Sequence, residues 1–92
     1  MSKVTLKGFI VVPEAELALV QSELVNHVRL TQKEPGCLSF RVTQNADNPL
    51  QFDVFEEFSD RAAFEHHQQR VKASHWGKIT QNVTRHYEVF EE

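Results

Sequence analysis

The chain has 92 residues, 40% of them hydrophobic, and a formal net charge of -3, which suits one domain over residues 1–92 with one modest core and excludes a two-domain enzyme. The acidic balance and the lack of a basic run exclude a phosphate-tracking nucleic-acid surface, because such binding needs clustered Lys and Arg. The single cysteine, Cys37, excludes an internal disulfide and every multi-cysteine zinc pattern, and points to the reducing cytosol.

The first segment, MSKVTLKGFIVVPEAE, has a short apolar run interrupted by Lys7 and ended by Pro13, which reads as a strand over Lys3–Val12 rather than a signal peptide or membrane span. Leu6, Ile10 and Val12 alternate there with Thr5, Lys7, Phe9 and Val11. Leu17, Val20, Leu24, Val28 and Thr31 then recur at helical spacing up to the breaker KEPG, which predicts a long amphipathic helix. CLSFRVTQ alternates as a second strand, with Leu38, Phe40 and Val42 on one face and Cys37, Ser39, Arg41 and Thr43 on the other. Cys37 has no cation fixed beside it in sequence and reads as a small packing residue. The turn cluster NADNP, Asn45 to Pro49, joins this strand to a returning one over Gln51–Phe58.

Ser59 or Asp60 caps the next helix, whose stripe is Ala63, Phe64, His67 and Val71. After a break near Val71–Ser74, Trp76, Ile79 and Val83 recur at helical spacing, and RHYEVFEE alternates as the last strand. The order β-α-β-β-α-β predicts an α+β ferredoxin-like sandwich, an antiparallel sheet with its helices on one face. The open face would carry Phe9, Phe55 and Phe90, and a homodimer packed sheet to sheet is the simplest cover for them, the alternative being rings tucked at sheet edges under loops.

The strand over Gln51–Phe58 sets Glu56 on the same side as Phe52, Val54 and Phe58, a carboxylate among apolar neighbours. His67 lies on the inward stripe of the following helix, so the two side chains can meet between sheet and helices as an acid–base pair. Burial would raise the Glu56 pKa, and a neighbouring histidine would lower it again. The plainer readings are a strand-end carboxylate that accepts backbone N–H groups from the helix beginning at Ser59, and a satisfied histidine at the core margin. His66 falls off the apolar stripe and reads as solvated, and His27 and His86 read as surface or interface residues. His75 and Trp76 would supply a hydrogen-bond donor and a wall to the pocket, although Trp76 at its spacing with Ile79 and Val83 also reads as core. A metal held by Glu56, His75 and His66 or His67 is the competing chemistry. Its spacing matches no compact ligand motif, and adjacent histidines point to different sides of a helix, so no metal is expected.

EPGCLSF, Glu34 to Phe40, followed by FDVFEEFSDRAAFEHH and by SHW, resembles the antibiotic biosynthesis monooxygenase family, including its small quinol monooxygenases. The matching residues are Glu34, Pro35, Gly36, Cys37 and Leu38; Phe55, Glu56 and Phe58; Asp60, Ala63 and His67; and His75 with Trp76. The resemblance covers nearly the whole chain, while the link QQRVKAS between His67 and His75 is longer than the family's usual one. It implies a dimeric ferredoxin-like domain that oxygenates a quinol or related phenol with dioxygen, with no metal, flavin or haem cofactor. Glu56, His67 and His75 would be catalytic, and Phe40, Phe58, Phe64 and Trp76 would form the dry aromatic slot that holds the substrate. Two other readings stay open: an isomerase of a small phosphorylated carbonyl compound that uses the same proton carriers, and a module that binds an aromatic or quinone without turning it over.

Overall fold

The alternations and breakers of the sequence become eight elements in a computed structural model that describes residues 3–92; Met1 and Ser2, which head the N-terminal segment discussed above, lie outside the described residues. Strand β1 (Val4–Val11) leads through a single 3-10 turn (Glu14–Glu16) into helix α1 (Leu17–Gln32). The hairpin β2 (Cys37–Gln44) and β3 (Gln51–Phe58) follows, then α2 (Arg61–Ala73), α3 (His75–Ile79) and β4 (Thr84–Glu91). The four strands form one antiparallel sheet in the order β2-β3-β1-β4, with the helices on one face, which is the ferredoxin-like arrangement. No helix among the described residues is long and apolar enough to cross a membrane.

The core lies between the sheet and this helical layer. Val4, Leu6 and Ile10 from β1 and Phe52, Val54 and Phe58 from β3 pack against Val20, Phe64 and Trp76 from the helices. Val83 belongs to this core although α3 ends at Ile79, so the last apolar residue of the expected helical run acts from the loop. Asp60, in extended conformation, accepts a hydrogen bond from the Ala63 N–H at 2.8 Å, which satisfies one free donor of the first turn of α2. Ser74 caps α3 in the same way through Gly77, so the two helices meet at a polar break.

The register of β2 departs from simple alternation. A bulge between Cys37 and Ser39 pairs Cys37 with Phe58, turning the thiol toward the core and leaving Leu38 57% exposed. Leu38 therefore does not share the inner face with Phe40 and Val42 as strict alternation predicts. The open face does carry Phe9, Phe55 and Phe90, but each ring has a polar neighbour. His86 stacks on Phe9 at 4.6 Å, Arg41 lies 4.8 Å over Phe55 and Lys7 lies 5.8 Å over Phe90.

Gly36 makes the turn from α1 into the bulge. Its φ of +85° is the left-handed conformation, and a Cβ there would lie 2.6 Å from Ala63 Cβ and 2.9 Å from Ser59 Oγ. Gly36→Ala is expected to cost about 1–3 kcal/mol through backbone strain and crowding, a fall in Tm of about 4 °C or more for a domain of this size. Thermal unfolding checks this, and an unchanged Tm would contradict the role given to the turn.

Candidate functional site

Helix α1, the turn after it, β3 and α2 bring polar side chains to the same interior region. Glu56 sits on the inner row of β3 and is 6% exposed, as alternation with Val54 and Phe58 requires. His67, three residues after Phe64 on the inward face of α2, is 2% exposed and rests against Phe58 and Phe40 at 5.0 and 5.8 Å. The third member is Glu34, brought in by the turn that Gly36 closes. Its Oε2 accepts hydrogen bonds from His67 Nδ1 at 2.7 Å and from Arg70 at 3.1 Å, while Arg70 also donates to Thr31 Oγ1.

Burial opposes the charge on Glu34, yet the bonds from His67 and Arg70 outweigh it and hold the carboxyl below its usual range. Glu34 is therefore ionised, and His67 Nδ1 carries the proton between them. Burial lowers the His67 pKa against the pull of Glu34, so the ring is neutral at physiological pH and Nε2 is bare. That nitrogen lies 3.8 Å from Glu56 Oε1, and Oε1 has no hydrogen-bond partner in the protein. Burial first, and the Glu34 charge second, push Glu56 up to about 8, so its carboxyl is neutral at physiological pH. The sequence-based expectation that a histidine would draw this value down does not hold, because His67 directs its proton to Glu34 instead. Nor does Glu56 secure the start of α2, which Asp60 caps.

Glu56 and His67 face a cleft of about 580 Å³, lined further by His27, Val71, Trp76, Arg85 and Tyr87. The cleft exists because Arg85 and Tyr87, in register with Ile10 and Gly8 on the inner side of β4, have no helix packed over them. Trp76 is thus both core and wall. Phe40 lines the innermost part of the cleft. Phe58 and Phe64 are packed in the core behind His67, 5.9 Å apart, and support the site without lining it. His75 is exposed at the first position of α3 and does not line the cleft, so the structure does not bring it to Glu56 and His67. His66 is 70% exposed at its side chain, as its place off the stripe predicts.

Sequence reasoning missed His27, which is 6% exposed rather than on the surface. Its ring stacks on Trp76 at 4.4 Å and 4° and meets Phe40 edge-on at 5.3 Å. Burial, reinforced by the nearby cations, lowers it to about 3, so it is a neutral imidazole. The spacing Val20, Leu24, His27, Thr31 was a usable signal for its burial. Tyr87 was missed as well; burial and then the Glu56 charge raise its hydroxyl to about 12. Among the described residues, no group of three or more His, Cys, Asp or Glu side chains is arranged to hold a metal ion.

Residues 4–79 match the family described as antibiotic biosynthesis monooxygenase. Among solved structures, a Bacteroides thetaiotaomicron protein, described as of unknown function and a possible oxidoreductase, superposes with a TM-score of 0.78 at 18% identity, over 99% of this chain and 98% of that one. A Deinococcus radiodurans protein, described as a candidate antibiotic biosynthesis monooxygenase, gives 0.75 at 23% identity over 97% and 91%. A similarly described protein of Nitrosomonas europaea gives 0.75 at 18% over 99% and 88%. At such identities these likenesses bear on the fold. No curated protein matches the sequence.

Two of the shifted groups, Glu56 and His27, bend the stability profile in opposite directions. Glu56 has a folded value of about 8 against 4.5 unfolded, so its contribution is fully present below 4.5 and is lost as pH rises through about 8. His27, lowered from 6.5 to about 3, contributes stability above 6.5 that is lost as pH falls through about 3. Glu56→Gln is therefore expected to gain on the parent protein steadily as pH rises between 4.5 and about 8. Thermal melts of both proteins across that range read the difference directly; a constant difference would show that Glu56 titrates normally.

Proposed function

The chain belongs to the antibiotic biosynthesis monooxygenase family, and from that membership we propose that it oxidises a quinol or related phenol with dioxygen, without a cofactor. The observation that carries the reading is the buried series Glu34, His67 and Glu56, which ends at an aromatic-walled cleft. It is a proton-transfer device with a fixed polarity: an ionised carboxylate holds a neutral imidazole by Nδ1, and the bare Nε2 faces a neutral carboxyl.

A phenol in the cleft loses its proton to Glu56 as Glu56 gives its own to His67 Nε2. The 3.8 Å gap exceeds a hydrogen bond, so the transfer includes a turn of the carboxyl toward the ring. Glu34 stabilises the imidazolium that forms. The phenolate is now electron-rich enough to pass one electron to dioxygen. The resulting radical and superoxide combine in a carbon–oxygen bond, and the relay returns its proton to the peroxide. Loss of the ring C–H proton with cleavage of the O–O bond leaves a quinone carbonyl and one water, so one oxygen atom enters the product and two substrate hydrogens leave in water. Trp76 and Phe40, both buried, give the slot apolar walls that shield the relay from water and strengthen each electrostatic step.

The isomerase reading uses the same relay but also requires a seat for a phosphate. Arg85, a cation on the cleft wall, already donates to Thr80 O, Thr80 Oγ1 and Val83 O. Lys72, also on the lining, is exposed, so a phosphate would be held by one solvated ammonium, which favours the phenol. The same cleft without turnover would serve a binding module. Oxygen uptake in proportion to added quinol supports the oxygenase. Deuterium exchange at a substrate C–H without oxygen uptake would replace it with the isomerase. The cytosol remains the proposed compartment, on the strength of the lone Cys37.

Glu56→Gln and His67→Phe are each expected to lower turnover of a true substrate by about two to four orders of magnitude, with far smaller changes in binding. The double variant should be little worse than the poorer single one, because the residues act as one unit. His66→Gln is the control and should be nearly silent. A folded Glu56→Gln with full activity would remove the mechanism.

We further propose a homodimer through the open sheet face, supported by the three rings that this face displays. Sedimentation at micromolar concentration should give a mass of twice 10.7 kDa. Phe55→Asp should shift it toward monomer, since its carboxylate meets Arg41 within one subunit but would be desolvated between two. A 10.7 kDa species alone for the parent protein would contradict the dimer.

A further inference from the structure

Beneath the cleft lies a small pocket of about 30 Å³, lined by Ile10, Phe40, Val42, Val54 and Trp76, by Arg85 and Tyr87 of β4, and by the buried pair His27 and Glu56. Each of the two is more than nine-tenths buried, and each has a buried polar atom without a hydrogen-bond partner in the protein: His27 Nδ1 and Glu56 Oε1. Buried polar atoms are seldom left unpaired, and two facing one pocket call for a shared partner. The plane of the His27 ring is fixed, parallel to Trp76 and edge-on to Phe40. The pocket volume is enough for one oxygen atom with its hydrogens, and Arg85 and Tyr87 add polar surface to its wall.

We propose that His27 Nδ1 and Glu56 Oε1 together bind a single oxygen atom, a water in the free protein and the reacting phenol hydroxyl in the complex, with His27 donating the hydrogen bond that stabilises the developing oxyanion. The second half of the statement rests on the phenol reading above. His27 suits this part because it is neutral, so it donates without giving up its proton to the phenolate. Glu56 lies on the other side of the same oxygen, and as its carboxyl turns, Oε1 takes the hydroxyl proton while the other carboxyl oxygen passes its own to His67 Nε2. Two roles thus separate: His67 moves a proton, and His27 holds the oxygen that loses it.

A high-resolution crystal structure of the free protein tests the first half. Ordered solvent is expected within hydrogen-bond distance of both atoms, and a pocket without density would overturn the oxygen site. Anaerobic calorimetry tests the second half with hydroquinone and with 1,4-dimethylbenzene, which lacks the oxygen atoms that would accept from His27. His27→Phe is expected to weaken hydroquinone binding about 10- to 100-fold, the loss of a hydrogen bond to a charged or charging group, and to leave dimethylbenzene unchanged. Equal losses for the two ligands, or none, would overturn the proposal by reducing His27 to a packing ring. Where the variant does not fold, the 15N signals of His27 in the parent protein decide: they should move with hydroquinone and not with dimethylbenzene, and matching responses would overturn it. If the parent protein binds neither compound, the phenol reading fails along with the ligand half, while the solvent density still decides whether the oxygen site exists.

Discussion

The 2.7 Å hydrogen bond from His67 Nδ1 to Glu34 spans 33 residues of sequence and joins the turn after α1 to the middle of α2. Most of the site's electrostatics depends on it. A buried carboxylate is costly unless it is paired and hydrogen-bonded, and Glu34 meets that condition through His67 and Arg70. Its charge then has two effects: it fixes the tautomer of His67, and it adds to the burial that keeps Glu56 protonated. Two carboxyl groups are thereby set in opposite protonation states on either side of one imidazole, which divides base from acid by position alone. Gly36 supports the arrangement, since its left-handed turn lets Glu34 approach α2 while its carbonyl accepts the Ser59 N–H at 2.8 Å.

The opening of the cleft has a separate cause. The helices cover β2, β3 and β1, whereas the inner side of β4 presents Arg85, Tyr87 and Val89 without a helix over them. A small chain with one helical layer thus leaves a lateral gap, and Trp76, at the break between α2 and α3, forms its wall. Solvent reaches the cleft from this side, while Glu56 and His67 stay at its inner end. An inner end walled by Phe40 and Trp76, with an open mouth, suits the proposed small aromatic substrate, whose binding would displace water from the relay.

Much of this was legible in the residues. The alternation of Phe52, Val54, Glu56 and Phe58 and the stripe Ala63, Phe64, His67 and Val71 are local patterns with fixed periods, so they place Glu56 and His67 in the interior between strand and helix. The antiparallel sheet follows from the order and lengths of the elements in the same way. The partner of His67 was not legible, because Glu34 lies in a turn whose contact with α2 is tertiary. The inner face of β2 was read one residue wrong at Leu38, since a bulge inserts a residue that no periodicity announces. His27 was misplaced because the apolar stripe of α1 was drawn through Val28, whereas stacking on Trp76 draws the imidazole inward. His75 was expected at the cleft from the family pattern, but the cap at Ser74 sets α3 so that Trp76 is buried and His75 faces out.

The protonation of His67 in the free protein, read from its 15N resonances at neutral pH, tests the central claim most directly. With Glu34 ionised and bonded to Nδ1, the account predicts a neutral ring with the proton on Nδ1 and an unprotonated Nε2. A proton on Nε2, whether as the other tautomer or as the imidazolium, would leave no base facing Glu56 and would contradict it.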